Sequence, residues 1–208
     1  MDMQTVIEEI LAIEWDMFQH TENIGGRAGC QDDFETFYIM RGSQYANWTD
    51  EMRSCWLEFL KECWTADGPG RRRNLVAEKY GRMMQFTNLH YYNKHIAPYI
   101  PAVPQENYRL INAIVKAQID WEKDFAACFP KLSLAGRPIT SAGDLSGFTS
   151  METYSRGELE TYPAHLLRLY AAYVQKLQEE EKNLSLMIQK TTVQMYGYDT
   201  IEEAEASL

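Results

Sequence analysis

The sequence predicts an all-α protein, a multi-helix bundle forming a single helical domain over 1–208. Three observations predict it. Apolar residues recur at i, i+3, i+4 and i+7 in nearly every segment. Capping signatures open several of those segments. Stretches bearing Gly or Pro, at Gly25-Gly26, Asp67 to Arg71, Pro98 to Pro104 and 131–148, separate them. A length of 208 residues suits one domain, and a composition that is 45% hydrophobic can build its core.

Taken in order, Thr5 to Glu8 fits a capping box, and the first helix should run to about Gln19, burying Ile7, Ile10, Leu11, Met17 and Phe18. A second helix is expected from Asp32 to about Asn47. Its inward stripe, read from Cys30, holds Phe34, Phe37, Arg41, Gln44 and Trp48. Thr49-Asp50 restarts the pattern for a third helix around Met52, Trp56, Phe59 and Leu60. The loop Asp67 to Arg71 and the basic run Arg71-Arg72-Arg73 lead to a fourth, from Asn74 to Phe86. Asn88 caps a short helix ending at His95. Pro104 suits the first turn of a long helix reaching Cys128, closed by Pro130. Residues 131–148 are the least helical, and Leu132 to Ile139 could form a small hairpin around Ala135-Gly136. Thr149 to Glu152 is another capping box. Pro163 opens a last long helix carrying Leu166 through Ile188, Gly197 ends it or its extension, and Asp199 or Thr200 caps a short acidic tail helix.

Several polar side chains break these apolar stripes. Glu14 lies among Ile7, Ile10, Leu11 and Phe18. Arg41 and Gln44 interrupt the second helix, Gln118 sits between Val115 and Trp121, and Glu158 aligns with Tyr154, Thr161 and His165 if the helix survives Pro163. Burying such groups without partners is costly. Two readings follow. Arg41 neutralises Glu14 or Glu158 in a structural ion pair, or these residues converge on a polar cavity. In the second reading Arg41 grips a carboxylate or phosphate, Glu158 or Glu14 moves protons, and Gln44, Gln118, Tyr154 and Tyr162 orient the substrate. Arg156 either pairs with Glu152 or Glu160 or enters the pocket.

The segment Asn23 to Gln31, with Gly26, Arg27 and Cys30, is a second candidate. Backbone amides beside Arg27 ahead of a helix could cradle an anion, so Asn23, Gly26, Arg27 and Gln31 are expected to bind substrate. Cys30 is either a small buried thiol or a nucleophile. No metal site is expected. His90 and His95 fall on different helix faces, and HExxH and ExxH spacings are absent. No cofactor is expected either.

A net charge of −10, from 30 acidic and 20 basic residues, argues against nucleic-acid binding. No segment reads as a membrane span or signal peptide, so a cytoplasmic protein with reduced cysteines is expected, without membrane or nucleic-acid partners. A homodimer is compatible with the sequence.

Glu14-Trp15 with Met17-Phe18, Asn23 to Ala28, Cys30-Gln31, Lys79-Tyr80 with Arg82 to Met84, Thr149-Ser150 with Glu152 to Tyr154, and Arg156 to Leu159 with Thr161-Tyr162 resemble a bacterial family described as a domain of unknown function. The resemblance covers almost the whole chain. It departs at Pro163, where a serine is the family's pattern, and at Asn88 to His90. It implies no activity, but its motifs coincide with the polar positions above. The function expected is a small helical enzyme acting on a small polar, anionic metabolite by lyase, hydrolase or isomerase chemistry. The alternatives are a non-catalytic ligand-binding or sensing domain and a structural helical protein.

Overall fold

Val6, Ile7, Ile10, Leu11, Met17 and Phe18 form one buried face of the first helix, α1 (Met3–Gln19), and Glu14 lies within that face. Apolar side chains at this spacing bury one stripe of a helix, and that burial is its main stabilisation. In the computed structural model, which describes residues 2–64, 73–145 and 148–208, ten further α-helices follow. They are α2 (Phe34–Ala46), α3 (Asp50–Trp64), α4 (Leu75–Thr87), α5 (Leu89–His95), α6 (Asn107–Cys128), α7 (Pro130–Ala135), α8 (Met151–Leu159), α9 (Ala164–Glu179), α10 (Leu184–Met195) and α11 (Ile201–Ser207). Among the described residues there is no β-strand, only an isolated bridge between Leu145 and Phe148. The protein is all-α, as expected.

Helix α1 packs on α2 and α3, α3 on α9, α9 on α6, and α6 on α10, which returns to α2. Helix α4 packs on α8 beside this ring. Ile10, Leu11, Met17, Tyr45, Met52, Leu60, Ile111, Ile114, Leu166, Leu167 and Tyr170 are almost wholly excluded from solvent.

Several boundaries differ from expectation. Helix α1 begins at Met3 rather than at a Thr5 cap. Gln4 donates to Glu8 at 2.9 Å, so that carboxylate is engaged one turn back along the exposed face. The second segment divides into a 3-10 turn (Gly29–Asp32) and α2, capped by Asp33 Oδ1 accepting from Thr36 N–H at 3.0 Å. That break turns Phe34 to solvent, although its ring still meets Trp15. Helix α6 starts at Asn107, three residues beyond Pro104, whose carbonyl accepts the Asn107 N–H. The expected hairpin is instead α7, with Pro130 at its start. Its free N–H groups at Lys131 and Leu132 donate to Glu205 of α11, at 2.9 and 2.8 Å. A distant carboxylate satisfying orphan amides leaves no trace in the local sequence. Ser150, not Thr149, caps α8.

The expected last helix is broken between α9 and α10. Glu181 takes φ 53°, a conformation costing a non-glycine residue roughly 1–2 kcal/mol. Lys182 N–H closes the turn on Leu177 O at 2.8 Å, and Asn183 caps α10. The tail helix is capped by Thr200, and Gly197 at φ 92° follows α10. The loop Asp67 to Arg71, with Arg71 and Arg72 of the basic run, lies outside the described residues. Arg73 pairs with Glu78.

Helices α4 and α8 meet at a glycine. A Cβ on Gly157 would stand 2.6 Å from Met83 Cγ and 2.9 Å from the Lys79 carbonyl oxygen. The methionine can yield but the backbone cannot, so Gly157→Ala must push the helices apart. Overpacking of this kind costs about 1–3 kcal/mol. We expect a lower denaturation midpoint for that variant, and chemical unfolding with an unchanged midpoint would contradict the contact.

Candidate functional site

Four helices each contribute one charged side chain to a single buried cluster. Glu14 comes from α1, Arg41 from α2, Lys79 from α4 and Glu158 from α8, and all four are nearly inaccessible to solvent. Arg41 is its centre. Its Nε and Nη2 donate to the two Glu14 oxygens at 2.9 and 3.0 Å. Nη1 donates to Glu158 at 3.0 and 3.1 Å and to Gln44 Oε1 at 2.7 Å. Nη2 also reaches the Tyr45 hydroxyl. Glu14 additionally accepts from that hydroxyl and from Trp56 Nε1 at 3.0 Å.

The turn ending α8 completes the Glu158 environment. Thr161 N–H and Oγ1 both donate to the Glu158 carbonyl, at 2.9 and 2.7 Å. The reversal returns Tyr162 to the helix it follows, and its hydroxyl donates to Glu158 Oε1 at 2.6 Å. The expected alignment of Glu158 with Thr161 and His165 on one continuous helix is therefore replaced by a turn, and His165 is exposed. Lys79 Nζ lies 3.6 Å from Glu158 Oε2 and donates to the Tyr154 hydroxyl at 2.7 Å.

Two carboxylates and two cations balance. Burial pushes the Glu158 carboxyl up, but Arg41, Lys79 and the Tyr162 hydroxyl more than reverse this and hold it at about 2. Burial opposes the charges on Arg41 and Lys79 too. Glu14 and Glu158 keep the guanidinium protonated well above its ordinary range, while Tyr154 and Glu158 do the same for Lys79. Burial and the neighbouring Glu158 raise the Tyr162 hydroxyl far above an ordinary phenol.

This cluster forms the floor of a cavity of about 540 Å³. One wall is aromatic: Phe18 stacks on Phe37 and on Tyr80, each with ring centroids 5.9 Å apart. A second wall, from α6 and α10, carries Gln118, Glu122 and Ser185. Arg137, from the segment after α7, contributes a third cation. Its guanidinium lies 4.9 Å from the Tyr154 ring centroid and 5.8 Å from that of Phe148, and Nη1 donates to Thr149.

Of the residues expected to share a site, Glu14, Arg41, Gln44, Gln118, Tyr154, Glu158 and Tyr162 all line this cavity. Arg41 is ion-paired to both carboxylates, and the cavity adjoins these pairs. The role expected for Arg41 needs correction. All five of its N–H donors are held within the protein, so it offers none to a bound anion.

Asn23, Gly26, Arg27, Gln31 and Arg156 stand apart from the cavity lining. Gln31 is buried and organises its own loop, accepting from Asn23 and Ala28 N–H at 2.9 Å each and donating to the Phe18 and Thr21 carbonyls. Gly26 serves that loop with φ 87°. Arg27 is exposed and paired with Asp32 at 2.7 Å. A guanidinium already neutralised beside solvent is a weak anion trap. Arg156 donates to Asn112 at 2.7 Å and pairs with Glu152, while Glu160 is taken by Arg82 and Gln85. Cys30 is exposed at the cavity rim rather than buried.

Lys79, Glu122 and Arg137 were not anticipated. Lys79 follows Val76 by three and precedes Met83 by four, so it breaks an apolar stripe as Arg41 does. Glu122 sits four after Gln118. Both were legible by the same signal. Arg137 comes from an irregular segment with no periodicity to read. Among the described residues, no group of three or more His, Cys, Asp or Glu is placed to hold a metal ion, and no helix is long and apolar enough to cross a membrane.

Comparison with curated proteins and with solved structures finds no match. A family model described as "Protein of unknown function (DUF4125)" matches residues 4–206. The match spans nearly every element described above, and the chain belongs to that family.

Proposed function

We propose that this chain binds a small organic molecule in the cavity, with an apolar or aromatic body against the Phe18, Phe37 and Tyr80 wall and an anionic group held by Arg137, Lys79 and Tyr154. The observation that carries this reading is Arg137. Arg41 and Lys79 face carboxylates, but among the described residues Arg137 is the cavity cation without one. An unpaired guanidinium beside aromatic rings is suited to a carboxylate or phosphate. The volume lies within the usual range of ligand sites.

Binding without turnover is the form supported best. A carboxyl held at about 2, as Glu158 is, is a weak base near neutral pH and no acid at all. Both Glu14 oxygens are occupied by Arg41, one of them also by Tyr45 and Trp56. The proton-moving roles expected of these two residues therefore lack support.

Incubating the pure protein with a metabolite mixture, followed by mass spectrometry of bound and altered compounds, tests the reading. Retention of acidic compounds without their consumption is expected. Arg137→Met should weaken that retention about tenfold or more, given roughly 1.5–3 kcal/mol for a charge-assisted hydrogen bond. Retention indifferent to this substitution contradicts the reading, and consumption of a retained compound replaces it with an enzymatic one.

A further inference from the structure

The wall opposite in character to Arg137 carries an amide oxygen and a carboxyl that the described residues leave without a donor and without a counter-charge, respectively. Gln118 Nε2 donates to the Tyr170 hydroxyl at 3.1 Å, but its Oε1 is buried and among the described residues has no hydrogen-bond partner. A buried amide oxygen without a donor costs roughly 1–3 kcal/mol and is uncommon in native proteins. One helical turn on, at i+4, stands Glu122. It lines the same cavity and faces the Ser185 hydroxyl of α10, and among the described residues no cation forms an ion pair with it.

Of the other carboxylates lining this cavity, Glu14 and Glu158 each have a guanidinium or ammonium against them, and Asp33 is exposed and caps α2. Glu122 therefore differs from Glu14 and Glu158 in kind. Burial raises its carboxyl pKa, with Ser185 offsetting part of the effect. The pairing of an acceptor-only oxygen with an uncompensated carboxyl at helical i,i+4 spacing calls for a group with several N–H donors and a positive charge.

We infer that Gln118 Oε1 and the Glu122 carboxyl, with Ser185 beside them, form a second polar subsite that takes a primary ammonium group of the ligand. This rests on the anion-binding role proposed for Arg137 and extends it. The ligand class is then amphoteric: an aromatic or aliphatic body bearing an acidic group at one end and an amine at the other. Glu14 and Glu158 are matched by Arg41 and Lys79, and Asp33, also on the lining, is exposed and caps α2. Arg137 and Glu122 then present one group of each sign, which a zwitterion answers on both sides.

Calorimetric titration with three matched probe series tests this: 4-(ω-aminoalkyl)benzoates with one to four methylenes, the corresponding 4-alkylbenzoates, and phenylalkylamines of the same lengths. At one spacer length the amphoteric probe should bind at least about tenfold more tightly than either single-ended probe. Glu122→Gln should remove that advantage and leave the alkylbenzoate affinity unchanged, and Gln118→Met should do the same in smaller measure. Arg137→Met should act in reverse, weakening the benzoates and sparing the amines. If no spacer length improves on the alkylbenzoate, or if both wall variants leave amine affinity within twofold, the second subsite is overturned while the anion-binding reading stands. Amines that bind and respond to Glu122→Gln, with benzoates indifferent to Arg137→Met, overturn the anion-binding reading and keep the subsite. Failure of all three series to bind overturns both.

Discussion

Arg41→Met is expected to lower the unfolding free energy by about 3–5 kcal/mol, the range for removing one partner from a buried ion pair. For a chain of this length that is a fall of about 6–20 °C in melting temperature. The cause is what the substitution leaves behind. Glu14 and Glu158 approach each other only because a guanidinium lies between them, donating to both. Without it, two buried carboxylates face one another with only Lys79 nearby, and desolvation is uncompensated. Arg41→Lys should recover little of the loss, since one ammonium cannot reproduce five donors in a planar fork. Adding Glu14→Gln to Arg41→Met should restore part of it by removing one of the stranded charges. Thermal and denaturant unfolding check all three, and a change below about 1 kcal/mol for Arg41→Met would show that the cluster is solvated.

Glu158→Gln is expected to cost on the order of 3 kcal/mol at neutral pH, because it strips the counter-charge from one side of Arg41 and from Lys79. It also makes a statement about pH. The Glu158 carboxyl is held at about 2 in the fold against an ordinary value of 4.5. A folded-state pKa below the unfolded one means that the carboxylate's contribution is fully present above about 4.5. It is lost as pH falls from there towards 2, where the folded protein also takes up the proton. The stability gap between the native chain and Glu158→Gln should therefore be wide at pH 7 and narrow progressively below 4.5. A gap that stays constant from pH 7 to pH 3 would mean that Glu158 is not the ionised partner of Arg41. Ligand retention by the same variant should fall only as far as the fold itself is weakened.

Helical periodicity made much of the site legible. Glu14, Arg41, Gln44, Gln118 and Glu158 were each recognisable as polar groups on apolar stripes, and all five line one cavity. Lys79 and Glu122 carried the same signal. The glycine-rich loop misled. Gly25-Gly26 beside Arg27 has the composition of an anion cradle, yet Gln31 folds back on Asn23 and Ala28 and Arg27 finds Asp32. Composition announces which groups are available and says nothing of which partners will claim them.

The sequence by itself determined the class of fold, most helix positions and the side chains that had to be reconciled with an apolar interior. Those depend on neighbours three or four residues apart, which share a helix face whatever the rest of the chain does. Only the tertiary structure decided that Arg41 meets Glu14 and Glu158 at once, 27 and 117 residues away. It also decided that Glu205 caps α7, and that among the described residues Arg137 and Glu122 form no ion pair beside the same cavity. Pairing of buried charge is a property of distance in space, and helix packing sets those distances through contacts such as Gly157 against the Lys79 backbone.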